Sequence, residues 1–364
     1  MERKLASIRV VKEIQPIEGA DLIELALIDG WQAVVKKGEL KPGERCIYIE
    51  IDSLLPPVEP FKFMEPRKYR VRTIKLRGCL SQGLALPLSA FSTNFGTAVP
   101  GTDVTKLLNI TKYGEEDIGE PKRKRGPLMR FLMGFSWIRW VHGKLKPKTR
   151  GAWPEYFPHT DEERVQNIRN LESFIGDHIL YASEKLDGQS FSAFFVGNKP
   201  VGLFKQGLYG VCSRNVWFKH PSTTNNNWCN IARTLSLEGI LRKHYRETAQ
   251  SIAIQGELIG PGIQGNRYGL TQHRLFVYNV FNITTQSYLS LVDKQAFCER
   301  NWLTMVPFFG ETPPSCRSIQ DFLLLAEGKS ELNNCEREGL VIRSITDDKL
   351  SFKAISNRFL MKEK

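Results

Sequence analysis

Between residue 5 and about residue 110, apolar and polar side chains alternate in short runs broken by Gly and Pro. The runs are Leu5–Val11, Leu22–Ile28, Trp31–Val35 and Arg45–Ile51, with turn-forming pairs such as Asp29-Gly30, Lys37-Gly38 and Pro42-Gly43 between them. Period-two patterning rich in β-branched residues buries one face of each strand, so this stretch predicts a small, mostly antiparallel barrel. From Tyr181 onward the runs lengthen. Strands are predicted over Ser190–Val196, Ser251–Ile259, Leu275–Ile283, Gly339–Arg343 and Leu350–Ala354, and helices over Trp228–Arg246 and Leu291–Arg300. That texture predicts an α+β domain with mixed sheet content. The chain therefore divides into an all-β module over residues 1–115, a linker over 116–155 and an α+β domain over 156–364.

A chain of 364 residues exceeds one compact domain, in keeping with this division. The 51 Lys and Arg against 39 Asp and Glu leave a net charge of +12, which favours polyanionic partners without separating nucleic acid from a membrane surface. The longest apolar-rich stretch, Pro127 to Val141, is shorter than a bilayer span and contains Arg130 and Arg139, so no membrane segment is expected. The N-terminus lacks the apolar core of a secretory signal, and the seven scattered cysteines include no C-x-x-C pair. Both observations point to a soluble protein of a reducing compartment, cytoplasmic or nuclear, and argue against a structural zinc site.

The positive charge concentrates between Pro121 and Arg150, where ten Lys and Arg occur with no acidic residue and interleave with Phe131, Phe135, Trp137, Ile138 and Trp140. Such a mixture suits phosphate contacts with base or sugar stacking. It equally suits a short helix packed on the barrel with its cations solvated.

The segment Ser183-Glu184-Lys185-Leu186-Asp187-Gly188-Gln189-Ser190 sets a lysine two residues before an aspartate, with a glycine following, at a strand edge. A lysine becomes a nucleophile only after losing its proton, which burial or neighbouring cations bring about. Alone, Lys-x-Asp-Gly also makes an ordinary turn. Further segments follow it in order: Cys212-Ser213-Arg214-Asn215, Gln255-Gly256-Glu257-Leu258, the aromatic run Phe276 to Asn282, Glu338-Gly339-Leu340-Val341-Ile342-Arg343, and Ser351-Phe352-Lys353-Ala354. Together and in this order they resemble the signatures of the covalent nucleotidyltransferase superfamily of ligases and capping enzymes. The resemblance implies an adenylyltransferase or ATP-grasp-like ligase domain of the α+β class.

It also implies roles. Lys185 would attack the α-phosphate of ATP and keep AMP as a phosphoramidate while pyrophosphate leaves. Glu184 would read the adenine amino group, Arg214 hold ribose or phosphate, Glu257 the ribose hydroxyl, Tyr278 or Phe281 the adenine face, and Lys353 the α-phosphate. Glu338 and Asp187 are the implied carboxylates for Mg2+ or Mn2+, held through water as a hard cation prefers. Upstream, Asp161 to Asn167 resembles the lead-in of RNA ligases, which implies that Arg164 binds the RNA 5′ phosphate or the leaving pyrophosphate. The same acidic run suits an exposed first helical turn. Each residue also has a plain structural reading: solvated strand ends for Glu257 and Glu338, core packing for Tyr278 and Phe281, a surface ion pair for Arg214. The fifth signature departs from the usual pattern, because Ser351 stands where the first of two lysines is customary; either Lys349 substitutes or one phosphate contact is missing.

The stretch Ile8 to Pro56 resembles OB modules that bind tRNA, and an OB-type barrel is the expected form of the N-terminal module. DNA ligases and capping enzymes carry their OB domain after the fifth signature, whereas here only Ala354 to Lys364 follow Lys353 and the barrel comes first. That order resembles the ATP-dependent RNA ligases that seal 3′-hydroxyl/5′-phosphate nicks in duplex RNA. The resemblance implies a monomer acting on a nicked RNA duplex, or an RNA/DNA hybrid, with ATP and Mg2+ or Mn2+ as cofactors. Two other readings stay open: a catalytically degenerate RNA-binding protein, and a lysine-dependent nucleotidyltransferase that charges a small molecule or caps RNA with GTP.

Overall fold

The computed structural model describes residues 4–93, 95–113, 150–198 and 207–362. The basic, aromatic-rich stretch lies outside the described residues, apart from Arg150. No helix among the described residues is long and apolar enough to cross a membrane, and all seven cysteines are free thiols.

The N-terminal strands form close to where alternation places them, at Ala6–Val10, Ile23–Ile28, Trp31–Lys36 and Arg45–Glu50. Ala6–Val10, Arg45–Glu50 and Gly83–Pro87 make one antiparallel sheet, and Glu13–Pro16, Ile23–Ile28 and Trp31–Lys36 make another. Alternation is cleanest in Trp31–Lys36, where Trp31, Ala33 and Val35 pack with Ala26, Ile28, Leu40, Tyr48 and Ala85 in one core. The Arg45–Glu50 strand is buried on both faces, because Leu55, Phe61, Met64 and Phe95 from later loops cover Ile47 and Ile49 on its other side. This is the OB-type module.

The α+β domain is built on two antiparallel sheets. Seven strands run in the order Arg150–Gly151, Trp217–Phe218, Leu208–Cys212, Gln189–Val196, Ile252–Ile259, Arg274–Asn282 and Ser287–Tyr288. Four more run Phe308–Glu311, Leu180–Lys185, Gly339–Ser344 and Ser351–Ile355. The larger sheet packs Phe191, Ala193, Ile252 and Ile254 against the helices Asn227–Thr234 and Leu237–Thr248. The smaller packs Ala182, Leu340, Ile342 and Phe352 against Leu171–Ile175 and Ile319–Leu325. One helix was expected over Trp228–Arg246, and two are found. Ser236 takes φ 50° and ψ 38°, a left-handed conformation through which no right-handed helix continues.

The last helix, Asn357–Lys362, docks on the barrel: Ile355, Phe359 and Leu360 enclose Leu80, and Gln82 donates to the Asn357 side chain at 3.0 Å. Removing most of a buried Phe side chain costs about 3 kcal/mol or more. Phe359→Ala is therefore expected to split thermal unfolding into two transitions in calorimetry, with the barrel melting first; one transition at the wild-type temperature would refute this coupling.

Candidate active site

Lys185 is the last residue of the Leu180–Lys185 strand, and Gln189 opens a strand of the other sheet. Leu186, Asp187 and Gly188 thus carry the chain from one sheet to the next. Leu186 anchors the crossing among Ile259, Tyr268, Phe276 and Val306. At Gly188 the backbone runs so near the Ile252–Ile259 strand that a Cβ would lie 2.6 Å from the Leu258 carbonyl oxygen. Only glycine lets the crossing segment run this close to that strand.

Antiparallel pairing sets Lys185 opposite Gly339. The preceding residue, Glu338, then brings both carboxylate oxygens to 2.7 Å from the Lys185 Nζ. Gly339 is as constrained as Gly188, since a Cβ there would fall on the Ala354 carbonyl oxygen. Around this pair opens a cavity of about 990 Å³ lined by both sheets. Glu184, Lys185, Asp187, Arg214, Glu257, Tyr278, Glu338 and Lys353 all line it, so most of the residues singled out in the sequence converge on one volume.

Electrostatics within the cavity depart from one expectation. Burial or neighbouring cations were expected to strip the proton from Lys185. Burial does disfavour its ammonium form, but the negative charges of Glu338, Glu257 and Asp187 outweigh burial and hold the lysine above its ordinary pKa. Glu257 shows the converse: burial, with help from Glu338 and Asp187 and against Lys185, pushes its carboxyl up to about 8. Asp187 is held by Arg267 at 3.2 Å, and its backbone N–H donates to the Tyr268 hydroxyl at 2.8 Å.

Among the described residues no three His, Cys, Asp or Glu side chains converge closely enough to cage a metal directly. The donors nonetheless fit a divalent cation held by one or two carboxylates and by water. Glu338 and Asp187 both line the cavity and both act on Lys185 as negative charges, with Asp187 also held by Arg267.

Glu184 is 2% exposed. One carboxylate oxygen accepts from the Glu331 backbone N–H at 3.0 Å, while Oε1 is buried with no hydrogen-bond partner among the described residues. A buried acceptor left open in a cavity wall is a ready site for a ligand donor. Tyr278 lines the same cavity and shares a hydrogen bond with Thr160 at 2.9 Å. It sits at a bulge, where the pairing of Ile252–Ile259 with Arg274–Asn282 slips between Gln255 and Gly256.

Of the two aromatics implied for the adenine face, Tyr278 lines the cavity and Phe281 does not. Phe281 is a core residue, packed with Phe157, Phe194 and Ala253 and edge-on to Tyr288 at 5.0 Å, outside the cavity lining. Arg164 also lies outside the lining; its guanidinium stands 5.4 Å from the Trp31 ring of the barrel. The run Asp161 to Arg164 is extended, with a single 3-10 turn at Val165–Asn167, and is not the start of an α-helix. Lys349 does not replace the customary lysine. It is exposed in the turn before Ser351–Ile355, its N–H donating to Asp347 at 2.9 Å, and does not line the cavity.

Other lining residues carried no assigned role in the sequence. Asp161 holds Arg214 at 2.9 and 3.2 Å. Glu162 holds Arg343 at 2.9 Å and accepts from the Ser351 hydroxyl. His159 stacks on Trp153 with centroids 4.1 Å apart. Parity was the available signal for Arg343, since Gly339, Val341 and Arg343 share one face of a strand.

A family model described as RNA ligase matches residues 179–355, and one described as an OB-fold domain matches residues 5–88. The chain is similar to solved structures of Naegleria gruberi RNA ligase. A lysine-to-alanine mutant with ATP and Mn matches at 31% identity and TM-score 0.78, covering 99% of each chain. A glutamate-to-alanine mutant with AMP and Mn has the same identity, coverage and TM-score. The enzyme with PPi matches at 31% identity and TM-score 0.75, again over 99% of each chain. A search of curated proteins found no match.

Behind the cavity wall, Lys294 is 4% exposed and donates to the Tyr278 carbonyl oxygen at 2.9 Å. Burial, aided by Arg343, lowers its pKa to about 7 from 10.5. In that interval the folded state binds fewer protons than the unfolded one, so the contribution of Lys294 to stability is largest above 10.5 and is lost as pH falls through about 7. The melting temperature of the wild type minus that of Lys294→Met is therefore expected to grow as pH rises across this window, by about 2–4 °C per kcal/mol. A flat difference would show that Lys294 titrates alike folded and unfolded.

Proposed function

The chain belongs to the RNA ligase family, and from that premise we propose that it is an ATP-dependent ligase joining RNA 3′-hydroxyl and 5′-phosphate ends at nicks in duplexes through an AMP-lysine intermediate on Lys185. The observation that carries the reading is the placement of Lys185: one amine at the crossing of two sheets, 2.7 Å from Glu338, inside a cavity whose walls also bring Glu257, Arg214 and Lys353.

In the first step the Lys185 amine bonds to the α-phosphorus of ATP, and the bond from that phosphorus to the bridging oxygen breaks, its electron pair leaving with pyrophosphate. The proton that Lys185 must shed has an acceptor in Glu338, within hydrogen-bond reach. The open Oε1 of Glu184 receives the adenine amino group, the contact that selects ATP over GTP. Tyr278 lies along the base, Glu257 takes the ribose hydroxyl, and Lys353 and Arg214 face the phosphates. Glu338 and Asp187 would hold a divalent ion such as Mg2+ or Mn2+ through water, and it would supply positive charge to the phosphates. In the second step an RNA 5′-phosphate oxygen bonds to the same phosphorus and frees the lysine. In the third, the neighbouring 3′-hydroxyl bonds to the 5′-phosphorus, releasing AMP and a proton.

Charge and architecture support an RNA duplex as the substrate. A net charge of +12 draws a polyanion, and the barrel docked beside the cavity supplies a second surface along which a duplex can lie. Arg164, between barrel and cavity, is placed to meet an RNA phosphate at that junction. ATP labelled at the α-phosphate is expected to leave its label on the wild-type chain with Mg2+ or Mn2+ and not on Lys185→Ala. The label should then be consumed by a nicked RNA duplex faster than by the same strands unannealed. Retention by Lys185→Ala, preference for GTP, or binding of the nick without joining would each overturn the proposal.

A further inference from the structure

The ligase reading leaves the departure at Ser351 unexplained, because one cation customary in the fifth signature is absent and Lys349 is not in the cavity. Pairing between the two neighbouring strands puts Val341 opposite Lys353 and Arg343 opposite Ser351. Arg343, Val341 and Lys353 all line the cavity, so this face of the sheet carries a row in which Arg343 stands across from the serine. Directly opposed residues on adjacent strands have Cβ atoms only about 5 Å apart. A guanidinium at 343 therefore reaches the space that an ammonium at 351 would fill.

Arg343 is also aimed. Its side chain is 12% exposed, bonded to one Glu162 oxygen at 2.9 Å and, more weakly, to the Ser183 hydroxyl at 3.4 Å. The Ser351 hydroxyl donates to the other Glu162 oxygen. A lysine at 351 would bring a second cation to the carboxylate that Arg343 already occupies; serine instead steadies that carboxylate from its free side. The absence of lysine at 351 and the presence of Arg343 are thus parts of one arrangement.

Position along the cavity says which phosphate is met. Lys185 lies opposite Gly339, Lys353 opposite Val341, and Arg343 two residues further on. At about 3.3 Å per residue, the Arg343 backbone is roughly 13 Å beyond Gly339. In an in-line displacement the leaving group departs from the side opposite the nucleophile. We infer that Arg343 is a catalytic residue that binds the distal phosphates of ATP, the departing pyrophosphate, in the place of the lysine that this chain lacks at 351.

This rests on the ligase reading, and its test separates the two. Two reactions are measured on the same variants: transfer of labelled AMP from ATP to Lys185, and sealing of a nick whose 5′ end is already adenylated, which bypasses pyrophosphate. Arg343→Ala is expected to slow the first by on the order of 100-fold, the usual loss for one charge-stabilising donor. Sealing of the adenylated nick should fall far less. Adding S351K to Arg343→Ala should restore AMP transfer at least in part, mainly by restoring the rate at saturating ATP. If Arg343→Ala does not fold, Arg343→Gln, which can still donate to Glu162, carries the same comparison. Equal losses in both reactions, or failure of S351K to restore the first, would reduce Arg343 to an ion-pair partner of Glu162 and overturn the inference. A wild-type chain that takes no label from ATP would instead overturn the ligase reading itself.

Discussion

The antiparallel register that sets Lys185 against Gly339 is the constraint on which the site depends. It brings Glu338 to the lysine amine, and through the next pair it sets Lys353 beside Val341 on the same cavity face. A slip of one residue in either strand would turn every one of these side chains to the opposite face. Burial prevents the slip: Leu340, Ile342, Phe352 and Ala354, the residues alternating with those of the site, form the core that packs on Ile319–Leu325. The apolar half of each strand thereby fixes the chemistry of the polar half.

The site so built is acidic where it meets the lysine and basic further out. Glu338, Glu257 and Asp187 surround one amine, whereas Arg214, Arg343 and Lys353 stand along the wall, the first two against Asp161 and Glu162. Such a gradient suits a nucleotide entering with its own cation, with phosphates toward the basic wall and its reactive phosphorus toward the lysine. It also explains why Lys185 is held protonated. An amine kept charged by carboxylates does not react, and it loses that charge only when other cations compete for those carboxylates.

Much of this was legible in the residues. Alternation located four of the barrel strands and the half-buried strand bearing Lys353, and an apolar run located the strand bearing Glu257, whereas the strand that ends at Lys185 is buried almost throughout and was expected only as a strand edge. What failed were features set by local backbone departures. Tyr278 and Phe281 could not be told apart because a bulge resets which side chains of that strand reach the cavity, and no residue type announces it. The break at Ser236 was hidden inside a helical pattern that continues on both sides. Lys349 looked suited to the phosphate role only by its nearness in sequence, and it stands exposed in a turn outside the cavity lining. The pKa of Lys185 was misjudged for a related reason: two of the three carboxylates around it, Glu257 and Glu338, arrive from distant segments.

The barrel is bound to this site by the same strand that carries Lys353. Its backbone N–H at Lys353 donates to the Glu163 carbonyl at 2.8 Å, next to Arg164, whose guanidinium faces Trp31 in the barrel. Just beyond the strand, Ser356 donates to the Glu338 carbonyl at 2.9 Å, and the helix that follows encloses Leu80. Displacing the barrel would therefore strain both ends of Ser351–Ile355 and move Lys353 relative to Lys185. The barrel and the cavity wall thus share one short strand, so a load placed on the barrel would be felt in the distance between Lys353 and Lys185.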